Sequence, residues 1–223
     1  MNIKLFFNAL IKVISGILLC GLLIFVPANT INWWNGWLFM GLLFIPMFIA
    51  GIVMMIKCPE LLKKRLNIKE KQSEQKTVIL FSAIMFIAGF VVAGLNYRYG
   101  WSTIPDIVVI ISSVVFVGSY IAYAEVLREN KYLSRTIKVQ ENQKVVDTGL
   151  YGIVRHPMYA VTIFLFLSMP LILGSIYSFL IFLIYPIIIA KRIKNEEELL
   201  EKELPGYAEY KNKVKYKMIP FIW

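Results

Sequence analysis

The run from Gly149 to Tyr159, Gly-Leu-Tyr-Gly-Ile-Val-Arg-His-Pro-Met-Tyr, holds the chain's single histidine, His156. Its two glycines let backbone approach a ligand closely. Pro157 suits the first turn of a following helix, and the open amides of such a helix start favour an anionic group such as a carboxylate. Downstream, Arg192-Ile193-Lys194-Asn195-Glu196-Glu197-Glu198-Leu199-Leu200 puts Arg192 and Glu196 four residues apart, on one helical face. That spacing alone also describes a solvated helix end with an ordinary ion pair. A third piece, Thr136 to Val146, alternates weakly before Asp147-Thr148-Gly149 and predicts a short strand or hairpin. Cys20 lies inside an apolar run and Cys58 ends another; neither has metal-ligand spacing, so both read as structural thiols and no metal site is expected.

Whatever positions these residues is built for lipid. Of 223 residues 58% are hydrophobic and only 17% charged, against about 25% charge in a soluble domain. Apolar runs span roughly 5–26, 37–56, 78–95 and 107–127, each near the ~20 residues that cross a hydrocarbon core of ~30 Å. A fifth run, 159–190, is too long for one crossing. Pro170 and Gly174-Ser175 near its middle predict a tight helical hairpin with two short arms. The expectation is an all-α integral membrane protein of about six transmembrane helices. Residues 1–127 would form a four-helix membrane region, and residues 128–223 a cytoplasmic segment, the hairpin and a C-terminal helix and tail.

The net charge of +10 would suit nucleic acid, but its placement argues against that partner. Three segments, one between the second and third runs, one before the hairpin and one after it, hold 21 of the 24 Lys and Arg. Six spans put all three on one side, which the positive-inside rule makes cytoplasmic, together with both termini. Val26-Pro27-Ala28 is a poor cleavage site for a signal peptide, so the first run reads as a retained span. Trp33, Trp34, Trp37 and Trp101 fall at the opposite ends of the spans, as an aromatic belt would. No Asp, Glu, Lys or Arg sits at the centre of a predicted span, which disfavours an ion-coupled transporter and moves the polar chemistry to the cytoplasmic face.

From about Glu125 to Trp223 the chain resembles the isoprenylcysteine carboxyl methyltransferase family and its bacterial and archaeal relatives. The Arg-His-Pro-Met-Tyr run after Gly-Leu-Tyr carries most of the resemblance. The Glu-Glu-Glu-Leu-Leu run, then Gly206-Tyr207-Ala208-Glu209-Tyr210 and Ile219-Pro220-Phe221-Ile222-Trp223, follow in order. The first half is similar only in general character, including Pro59-Glu60-Leu61-Leu62.

The resemblance implies a pocket for S-adenosylmethionine on the cytoplasmic side, closed by the C-terminal segment over the hairpin. Gln143, Lys144, Val145, Val146, Tyr151, His156, Pro157, Met158 and Tyr159 would line the cofactor. Glu196 matches a cofactor-contacting acid, and Arg192 an arginine beside the acceptor. Gln143 stands where many relatives have histidine, and Pro205-Gly206 replaces the usual Phe-Gly. The implied reaction is methyl transfer to a lipophilic acceptor, a carboxylate such as that of a prenylcysteine-like compound, in a bacterial or archaeal cell membrane. An activated sulfonium methyl asks of the protein mainly alignment, and Arg192 suits a two-pronged grip on a carboxylate. An amine acceptor, as in a phospholipid amine N-methyltransferase, would need a base, with Glu197 or Tyr210 nearest. Sterol-type reductases using NADPH resemble the family in their C-terminal halves and give the rival reading. The chain has no Gly-x-Gly-x-x-Gly run, so a soluble methyltransferase fold is not expected.

Overall fold

The computed structural model describes residues 3–66, 73–133 and 139–223. Four apolar segments form helices long enough to cross a bilayer: α1 (Ile3–Ala28), α2 (Trp34–Lys57), α4 (Ser73–Tyr99) and α5 (Asp106–Glu129). The short α3 (Pro59–Leu66) follows α2 after Cys58, with Pro59 at its first position, where a missing N–H is harmless. The hairpin comprises α6 (Pro157–Ile172), then α7 (Ile176–Phe182) running into α8 (Tyr185–Glu203). A last short helix, α9, spans Tyr207–Lys213. The chain is an all-α integral membrane protein.

The hairpin arms are unequal rather than both short. The first has 16 residues, about 24 Å at ~1.5 Å per residue, less than a full hydrocarbon core. The second runs 28 residues from Ile176 to Glu203, roughly 42 Å, so its charged end projects out of the membrane. It survives a kink at Leu183-Ile184 because Pro186 occupies the first turn of α8, and no breaker follows until Pro205-Gly206. The bend between the arms is where the sequence places it. Gly174 takes φ +76°, and the Ser175 hydroxyl accepts from the Ser178 amide. Asn35 Nδ2 of α2 donates to the Ile172 carbonyl at 2.9 Å, and Asn96 Nδ2 of α4 to that of Gly174 at 3.4 Å.

In the membrane interior α5 lies along α6, α1 along α4, and α4 against α7 and α8. Rings of Phe86, Phe90 and Phe182 pack edge-on or tilted with centroids 5.3–5.9 Å apart. Trp34, Trp37 and Trp101 lie exposed at helix ends, as expected of a belt. Trp33 departs from that expectation: it is buried at the entry to α2 and stacks on Tyr97, centroids 4.8 Å apart. Cys20 is buried, Cys58 is exposed, and both are free. The strand or hairpin expected over Thr136–Val146 does not form in its described part. Residues 139–146 are coil around a turn at Glu141-Asn142, with Asn142 at φ +56° and no strand among the described residues to pair with; residues 136–138 lie outside the described residues.

Candidate functional site

The site is assembled where backbone leaves the membrane helices. At the C-terminal end of α5 both carboxylate oxygens of Glu129 accept from the Leu150 amide, at 2.9 and 3.2 Å. This pins a 3-10 turn at Gly149–Gly152. Gly149 has φ +53°, which favours glycine, and a β-carbon there would stand 1.5 Å from Glu129 Oε1 and push that carboxylate off the Leu150 amide. The turn delivers Tyr151, which is buried.

Beyond Ile153-Val154, the backbone amides of Arg155 and His156 pair with the tail. The Arg155 amide donates to the Tyr216 carbonyl at 2.9 Å, and the His156 amide to that of Lys217 at 2.8 Å. Buried Arg155 donates from Nε to Glu197 Oε1 at 2.7 Å, and from a terminal nitrogen to the carbonyls of Val214 (2.7 Å) and Lys215 (2.8 Å). His156 Nε2 lies 3.1 Å from the same Glu197 oxygen, and Lys217 Nζ is 4.0 Å from the other. One arginine thus ties the segment before α6, the end of α8 and the tail into a single buried polar knot. Such a pair persists out of water only when hydrogen bonds satisfy both ions, which these contacts supply.

Pro157 then starts α6, with His156 in the capping position. One turn on, the Tyr159 hydroxyl donates to Glu196 Oε2 at 2.5 Å and accepts from Arg192 Nε at 2.9 Å. The i,i+4 spacing does put Arg192 and Glu196 on one face of α8, but a phenol from the other arm stands between them as a bridge. Opposite this wall, Pro205-Gly206 (Gly206 φ +83°) turns the chain into α9. There the Tyr210 hydroxyl donates to the Tyr151 carbonyl at 2.7 Å, and Lys213 Nζ meets Asp147 Oδ2 at 2.9 Å. Leu204, Tyr207, Tyr210 and Val214, with Val139, Val145 and Leu200, form a small apolar cluster separate from the membrane core.

Between this cluster and the Tyr159–Arg192–Glu196 wall lies a cavity of about 100 Å³ that opens to solvent. Gln143, Lys144, Val145, Val146, Tyr151, His156, Met158, Tyr159, Arg192 and Glu196 all line it. The Gln143 side chain is engaged locally: its Oε1 accepts from the Gln140 amide at 2.9 Å and closes the turn. Two residues singled out in the sequence stand outside the wall. Pro157 is buried as helix start, and the Glu197 carboxylate is engaged by Arg155 and His156. Burial pushes the phenols of Tyr151, Tyr207 and Tyr210 well above their ordinary range. Tyr210, a protonated donor to a carbonyl, is therefore poorly suited to act as a base.

The wall also holds residues that sequence reasoning passed over: Asn130, Tyr132, Leu133, Arg155, Leu200, Leu204 and Tyr207. Signals for some existed. Arg155 belongs to the Arg-His-Pro-Met-Tyr run, Leu200 and Leu204 continue the Glu196 face at intervals of four, and Tyr207 follows the only Pro-Gly pair.

Fold and cavity together define a multi-pass all-α membrane protein with a tyrosine-rich, charged chamber at one membrane face. Residues 107–202, from the start of α5 almost to the end of α8, match the model of the isoprenylcysteine carboxyl methyltransferase (ICMT) family, and this match supports membership of that family of methyltransferases. No curated protein matches the chain.

Proposed function

We propose that this protein transfers a methyl group from S-adenosylmethionine to the carboxylate of a lipophilic acceptor, at the cytoplasmic face of the membrane. The observation that carries the proposal is the Tyr159 bridge, which sets Arg192 and Glu196 side by side on the wall of a single cavity at the end of the hairpin. The chamber suits the donor's two dissimilar ends. A sulfonium is cationic and favours the Glu196 carboxylate and tyrosine rings, whereas a flat base favours the apolar wall of Val145, Leu200 and Leu204. When bound, S-adenosylmethionine supplies a methyl group already activated for displacement.

The chain's own residues then have three tasks. Arg192 holds the acceptor carboxylate through its planar fork, which a lysine could not imitate. Glu196, fixed by the Tyr159 hydroxyl, orients the cationic centre. Arg155 and Glu197 act as positioning residues: they hold His156 and the tail so that the chamber keeps its shape. Holding the reactants in line supplies the main rate gain. A carboxylate acceptor is ionised already, so no base is needed, in keeping with the prior engagement of Glu197 and Tyr210. The cytoplasmic assignment, and with it cytoplasmic termini, rests on the 21 basic residues concentrated in alternate segments.

The test is incubation of the purified protein with radiolabelled methyl donor and native membrane extract, with identification of the labelled product. A base-labile ester on a lipophilic acid is the expected outcome. Label on an amine would move the reading to N-methylation. Thermal stabilisation by NADPH and not by S-adenosylhomocysteine would replace it with a reductase.

A further inference from the structure

Among the described residues, two buried side-chain atoms have no hydrogen-bond partner, Asn195 Nδ2 and the Tyr207 hydroxyl. Tyr207 is the one that lines the cavity, and it is only 4% exposed. An orphaned buried hydroxyl costs free energy that folding alone does not recover, and none of the described residues recovers it. The surroundings narrow down what would. Burial keeps the phenol protonated, so it offers an O–H donor. Glu197 and Glu196 contribute negative potential at Tyr207, offset in part by Arg155, and the balance disfavours an anionic acceptor there. The side chain sits in the apolar cluster with Leu204, Val145 and Leu200, and the Tyr210 ring lies 5.7 Å away, centroid to centroid. Apolar and aromatic walls around one neutral donor fit a flat, neutral heteroaromatic ring carrying an acceptor nitrogen.

We propose that Tyr207 is a specificity-determining residue that donates a hydrogen bond from its hydroxyl to a ring nitrogen of the donor's purine. The inference rests on the proposed use of S-adenosylmethionine and adds a residue and a chemical criterion for choosing the base. Gly206, in the left-handed conformation, turns the chain into α9, whose first residue is Tyr207.

The experiment is a binding titration of wild type and Tyr207→Phe with S-adenosylhomocysteine and with its three analogues in which N1, N3 or N7 is replaced by CH. Phenylalanine keeps the ring and removes only the hydroxyl. The variant should bind S-adenosylhomocysteine roughly fivefold more weakly. One analogue should already be weakened by a similar factor in wild type and lose nothing further in the variant. The ligand-free variant should melt at the same temperature or higher, because its orphaned group is gone. Unchanged affinity, a uniform loss across all four ligands, or a ligand-free variant less stable than wild type would overturn the role of Tyr207. If wild type binds none of the four while remaining folded, the methyl-donor reading fails with it, and that result is distinct from the others.

Discussion

The helices before Asn130 and the chain after it solve the same problem, polar backbone away from water, in opposite ways. In α1, α2, α4 and α5 the ladders satisfy the backbone internally, as lipid demands. Serines there fold back onto nearby carbonyls, Ser113 onto Val109 and Ser119 onto Val115, while Asn35 and Asn96 reach across to the hairpin bend. Only 11% of the most apolar window of α1, and of α2, is buried within the protein, so lipid must cover the rest. After Asn130 the chain repeatedly leaves helix, and the freed groups are captured by particular side chains. Glu129 takes the Leu150 amide, Arg155 two tail carbonyls and Tyr210 the Tyr151 carbonyl. The first region is held mainly by apolar packing, with Asn35 and Asn96 as its polar ties to the hairpin. The second is held by named polar contacts, and those contacts define the cavity.

The largest effect expected of a single change is therefore in the second region. Arg155→Ala leaves Glu197 buried without its main partner and should cost about 3–5 kcal/mol. The loss should be local: hydrogen exchange should rise over residues 204–223 and stay slow in α4 and α5. Faster exchange across all helices would mean that the two regions do not stand apart.

The counterpart, where the hairpin packs on the helices of the first region, is Phe182→Ala. Phe182 is fully buried among Phe86, Phe90 and Gly89. Cores in water lose about 3–5 kcal/mol for such a truncation. Lipid tails are as apolar as the side chain, so only the packing part is lost and the cost should fall near 3 kcal/mol or below. Unfolding in detergent should register it while S-adenosylhomocysteine affinity stays normal. A smaller effect, confined to the ligand, is expected for His156→Ala. If the loop that His156 orders contacts the cofactor, titration should show a loss of about 1–3 kcal/mol of binding with the melting temperature little changed. Unaltered affinity would return His156 to a packing role.

The same contrast sets what could be read in advance. Membrane spans follow from apolar run length, and the hairpin bend from Gly174-Ser175, because lipid leaves so few alternatives to a helix. The Pro157 helix start and the shared face of Arg192 and Glu196 are local geometry, legible from spacing. Contacts between distant segments were not legible. Tyr159 and Arg192 are 33 residues apart, and nothing in either run says that a phenol will bridge the arginine to Glu196. Within Glu196-Glu197-Glu198, neighbours point about 100° apart, so which carboxylate enters the cavity depends on how α8 packs. That packing turned Glu197 inward to Arg155. Likewise the length of α8 depended on the missing breaker between Ala190 and Pro205, which apolar periodicity does not register.

The most direct test of the central claim uses Glu196→Gln and Arg192→Lys, purified in the same detergent, with S-adenosylhomocysteine affinity and methyl transfer measured on both. If the two residues face different ligands across the Tyr159 bridge, the glutamine variant binds the nucleotide more weakly. The lysine variant should bind it normally and lose transfer, because lysine keeps the charge but not the planar fork. Were the pair only a helix-end contact, each change would cost at most about 1 kcal/mol of stability. Equal nucleotide affinity in both variants, with transfer near normal, would contradict the account.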